Sequence, residues 1–96
     1  VSKQSTKRKL TKVSSRLTSL RSELVAVDEQ TLYLRQEADD SETRALVAEN
    51  TGVDREARQA REHADANAKQ RERVIVEIAQ LEQRQDELLD QLTSSD

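Results

Sequence analysis

From Leu10 to Ala48, and again from Ala57 to Leu92, core-type positions recur at alternating intervals of three and four residues. The first series reads Leu10, Val13, Leu17, Leu20, Leu24, Val27, Thr31, Leu34, Ala38, Ser41, Ala45, Ala48. The second reads Ala57, Ala60, Ala64, Asn67, Arg71, Val74, Ile78, Leu81, Gln85, Leu88, Leu92. Only a helix brings such positions onto one face, and a sustained heptad of this kind is the seam of a coiled coil. The phase also runs unbroken through Asp39-Asp40-Ser41, the stretch most prone to interrupt a helix, so residues on both sides are read as one helix.

Between the two series lies Asn50-Thr51-Gly52, holding the only glycine of a 96-residue chain without proline. Gly52 suits the left-handed conformation that closes a helix, and Asp54 suits the cap of the next. So short a connection makes an antiparallel helical hairpin. The expected fold is all-α: two long helices in an antiparallel coiled-coil hairpin, able to dimerise into a four-helix bundle. The sequence reads as one domain, with helix one over about 5–50, a turn at about 50–53 and helix two over about 54–93. Residues 1–4 and 94–96 are expected to fray.

In an antiparallel pair, facing residues have numbers of constant total, and totals of 98, 105 and 112 suit a turn near the middle. Charge is used to choose between them. A total of 98 sets Arg16 near Arg84, Glu23 near Glu77 and Arg35 near Arg61, whereas 112 sets Asp28 near Glu82 and Glu37 near Glu77. A total of 105 gives Arg21–Glu82, Glu23–Arg84 and Glu42–Arg61 with no like pair, and it centres the turn at Gly52 and Val53. The predicted register is therefore 105, with layers such as Leu17–Leu88, Leu24–Leu81, Thr31–Val74 and Ala45–Ala60. Asn67, Arg71 and Gln85 give up apolar burial on the seam and are expected to help fix the register.

Composition narrows the function. Hydrophobic residues make up 33% and charged residues 36%, and Tyr33 is the sole aromatic, which leaves little to fill a layered globular core. Without cysteine there is no disulfide or thiolate chemistry. No catalytic triad, glycine-rich phosphate loop or metal motif occurs, so no enzyme activity, cofactor or metal is expected. His63, at a flanking position facing Arg44 in the predicted register, reads as a solvated surface residue. Asp40–Arg44, Asp54–Arg58 and Asp65–Lys69 are spaced to form helix-supporting pairs. No apolar run is long enough to span a bilayer, and a cytoplasmic location without membrane association is the expectation.

Two features point outward. Val25, Leu32 and Leu46 on helix one, and Ala68, Ile75 and Leu89 on helix two, lie off the seam on one side of the predicted hairpin, with Tyr33 and Val76 at the edge. A two-helix hairpin leaves such a stripe uncovered, and exposed apolar patches mark interfaces. Val25, Leu32, Tyr33, Leu46, Ile75, Val76 and Leu89 are the expected partner interface. The partner would be another protein or a second copy, with a homodimer favoured.

The other feature is charge. Lys3, Lys7, Arg8, Lys9, Lys12, Arg16 and Arg21 populate the first 22 residues without an acid, while six acids and one arginine occupy residues 77–96. The hairpin lays these oppositely charged ends together. With a net charge of −3 and no aromatic interleaving, neutralisation within the hairpin is favoured over nucleic-acid binding. Lys3, Lys7, Arg8, Lys9 and Lys12 remain the candidate phosphate-binding arm of an alternative, ribosome-associated or nucleic-acid-binding function. The leading expectation is a non-enzymatic interaction or scaffolding module acting through coiled-coil packing.

Overall fold

A computed structural model describes residues 2–94 of the chain. They form two α-helices, α1 (Lys3–Ala48) and α2 (Thr51–Ser94), packed antiparallel and joined by Glu49 and Asn50 alone. The all-α hairpin expected from the heptad pattern is the observed fold. Val1, Ser95 and Asp96, where fraying was expected, lie outside the described residues.

The helix ends differ from expectation in informative ways. α1 starts at Lys3 because Ser2 caps it. The Ser5 amide donates to Ser2 Oγ at 3.1 Å, and the Thr6 amide and hydroxyl both donate to the Ser2 carbonyl. At the turn, Glu49 takes the left-handed conformation, with φ 49°, and Gly52 does not. Asn50, rather than Asp54, caps α2. Its Oδ1 accepts from the Gly52 amide at 2.8 Å, while its carbonyl accepts the first helical bond from Asp54. Gly52 sits inside the first turn of α2, where an added Cβ would lie 3.2 Å from that same Oδ1. The lone glycine thus gives the cap room instead of making the turn.

Packing divides into two compact units. In one, the described residues up to Leu24 pack with those from Arg73 onward; Val25–Glu72 form the other. The seam is the buried line in each. Leu17, Leu20, Val74 and Leu88 are buried in the first unit, and Val27, Thr31, Ala38, Ser41, Ala57, Ala64 and Asn67 in the second. Thr6, one step before the seam as read from sequence, is also buried, while Ala48 at its other end is exposed.

The register is not the one charge selected. In the turn-bearing unit Asn67 Nδ2 donates to Thr31 Oγ1 at 2.6 Å, both residues being buried, and their numbers total 98. In the other unit Gln85 Nε2 donates to Ser14 Oγ, a total of 99. Each unit is therefore paired near 98 and not near 105, and Thr31 faces Asn67 in place of Val74. The reason lies in the flanks. Every flanking position has two opposing neighbours seven residues apart, and the like-charged neighbour is the one the sequence argument counted. Arg16 reaches past Arg84 to Glu77, and Arg61 reaches past Arg35 to Asp39 and Glu42. Arg21–Glu82 and Glu42–Arg61 form as expected, because they lie within reach in either register. Arg84 also pairs with Glu87 on its own helix.

Candidate interaction surfaces

The turn-bearing unit carries a polar step in its seam. Thr31 donates its hydroxyl to the Val27 carbonyl at 2.8 Å and accepts from Asn67, so the buried pair is satisfied on both sides. One turn along, Arg71 Nε donates to Asp28 Oδ1 at the seam's edge. Asp28, Thr31, Arg71, Leu32 and Arg35 together line a shallow groove. Leu32 stands on its rim at 72% exposure, with Val25 and Tyr33 also exposed in this unit.

His63, expected opposite Arg44, instead lines a groove with Gln30, Leu34, Ala66 and Asn67, as the observed register requires. Arg44 donates to Ser41 Oγ on its own helix. None of the three expected i,i+4 pairs closes into an ion pair among the described residues. Arg61 bridges Asp39 and Glu42 at 2.9 and 2.7 Å. That hydrogen bond holds the Glu42 carboxyl below its ordinary 4.5, outweighing the opposing effect of desolvation, and raises the Arg61 guanidinium.

Close to the turn, Leu46 and Val47 are 83% and 81% exposed, the most open large apolar side chains described. Val47 lines a groove with Thr43, Arg44, Ala48, Val53 and Glu56. Sequence reasoning missed Val47 because it lies one position off the stripe through Val25, Leu32 and Leu46. The signal was the pair of adjacent outward aliphatics beside a turn.

In the other unit Val76 and Leu89 are exposed, whereas Ile75 is half-buried. Of the expected interface, Val25, Leu32, Tyr33 and Leu46 therefore belong to the turn-bearing unit, and Ile75, Val76 and Leu89 to the other. Of the basic residues, Arg16 and Arg21 are committed to Glu77 and Glu82. Lys3, Lys7, Arg8, Lys9 and Lys12 are exposed on the first turns of α1. Among the described residues, Lys7, Arg8, Lys9 and Lys12 make no ion pair.

No described helix is long and apolar enough to cross a membrane. Comparison with models of protein families, with curated proteins and with solved structures found no match to this chain.

Proposed function

We propose that this hairpin is a non-enzymatic interaction or scaffolding module that binds a protein partner by helix-on-helix packing, in the simplest case a second copy of itself. The observation that carries this reading is the set of large apolar side chains turned away from the seam, led by Leu32 and Val25 in one unit and Leu89 and Val76 in the other. A folded hairpin already fills its own seam, and Leu32 and Val25 stay 72% and 60% exposed outside it. Burying one such side chain contributes about 1.5–3 kcal/mol, enough for a few of them to drive association.

Sedimentation equilibrium on the wild type, Leu32→Glu and Ile75→Glu tests it. The expected result is a wild-type dimer that both substitutions convert to a monomer of unchanged helicity. Leu32 is the cleaner probe, because Ile75 also packs partly within its own hairpin. A wild-type monomer would discard self-association and direct the search to a heterologous helical partner.

The uncommitted cations Lys7, Arg8, Lys9 and Lys12 favour a second reading, a phosphate-binding arm. Titration with single- and double-stranded nucleic acid across salt separates the two. Phosphate binding falls steeply between about 50 and 200 mM salt, and apolar packing does not.

A further inference from the structure

The turn and the seam each contain a second solution. Glu49 and Asn50 make the observed turn, with Glu49 in a left-handed conformation that is strained for any L-residue with a side chain. Just beyond lie Gly52, free to take that conformation, and Asp54, a good helix cap. Moving the turn from Glu49–Asn50 to Gly52–Asp54 shifts the facing total from 98 to 105. That step is one heptad, the shift that returns every seam residue to a seam position. Val27, which faces Arg71 at a total of 98, would then face Ile78, and Leu24 would face Leu81. Arg61–Glu42, whose numbers total 103, sits within reach in both arrangements.

Opposing the shift are bonds that exist only near 98. They are the buried Asn67–Thr31 bond, Arg71–Asp28, Gln85–Ser14 and Arg16–Glu77. The two ion pairs are about half exposed and contribute little. Asn67 is different: at 105 it would face Ala38, which has no side-chain partner to offer.

We propose that the hairpin is a two-register device. Its minor state lies one heptad away, turned at Gly52, and the Asn67–Thr31 bond is the latch that holds the major state. The slide carries α2 about 10 Å along α1, at about 1.5 Å per residue. Leu32 on α1 then meets a different part of α2, so a partner gripping both helices binds one register and draws the population toward it. This inference concerns the hairpin itself and stands whether or not the chain dimerises.

The chain has no cysteine, so introduced pairs read the register directly. Ser41→Cys with Ala57→Cys reports a total of 98, and Ser41→Cys with Ala64→Cys reports 105. Ser41→Cys with the outward Ala66→Cys is the control for random opening. Oxidation at low protein concentration, scoring the monomer band, gives the rates. The first pair is expected to close fastest, and the second slower but above the control. Asn67→Ala is expected to raise the rate of the second relative to the first at least tenfold, and Glu49→Gly to lower that ratio. The proposal is overturned if the second pair never exceeds the control in any background, or if Asn67→Ala leaves the ratio unchanged in protein of native helicity. Because Glu49→Gly relieves strain in the observed turn, it keeps the test decisive if Asn67→Ala fails to fold.

Discussion

Glu49 occupies a backbone conformation that favours glycine, and Gly52, three residues away, does not use it. Replacing Glu49 by glycine removes the strain but adds freedom to the unfolded chain, which offsets part of the gain. Glu49→Gly is expected to stabilise by about 0.5–1 kcal/mol in urea denaturation, and Glu49→Val to destabilise by more, since a β-branched side chain tolerates positive φ least. A second prediction concerns acid. Because Arg61 depresses the Glu42 carboxyl, Glu42 favours the folded state above its ordinary 4.5, and that contribution is lost as pH falls through the lower folded value. Glu42→Gln should flatten this part of the stability profile below about pH 4.5, measured by thermal melts at stepped pH. The sequence could not reveal either feature. A glutamate in the left-handed region runs against residue preference, and which of two acids an arginine grips depends on a register not yet known.

The helices were the most legible elements, since α1 and α2 follow from unbroken three–four spacing and the absence of proline. Thr6 escaped notice because a threonine before a leucine-rich seam carries no hydrophobic signal, although it ends 3% exposed. The register was misread because seam periodicity is indifferent to a one-heptad shift, which left exposed charges to decide. Those charges are long, flexible and individually worth at most about 1 kcal/mol. The pair that distinguishes the observed register, Asn67 with Thr31, was visible only as two polar intrusions in an apolar line. The seam also predicts how adjacent leucines differ. Leu88 is fully buried and Leu89 is 45% exposed. Leu88→Ala should cost about 2–4 kcal/mol. Leu89→Ala, which removes a side chain only partly covered in the monomer, should cost less, about 1 kcal/mol, and weaken any concentration-dependent association.

Across the whole chain, the residues foreseen as an interface are exposed apart from Ile75, and Val47 joins them beside the turn. Exposure was readable from heptad position, because a residue off the seam of a two-helix hairpin has no helix facing it. Charge behaves differently at the two ends of the basic stretch. Arg16 and Arg21 bond across to α2, while Lys7, Arg8, Lys9 and Lys12 remain open to solvent. Replacing Lys7, Arg8, Lys9 and Lys12 by glutamine should therefore abolish any phosphate binding while leaving helix-mediated association intact, a comparison that gel filtration and a nucleic-acid titration make on the same two proteins.

Tyr33 is the only chromophore of its class in the chain, and it points outward at 65% exposure beside Leu32. Most of the ring stays in water in the folded hairpin, so its surroundings leave room for a further change when something binds. It is well placed to register an arrival. A partner settling over Leu32 would change the emission of this single phenol, so the protein carries its own optical reporter for occupancy and needs no label.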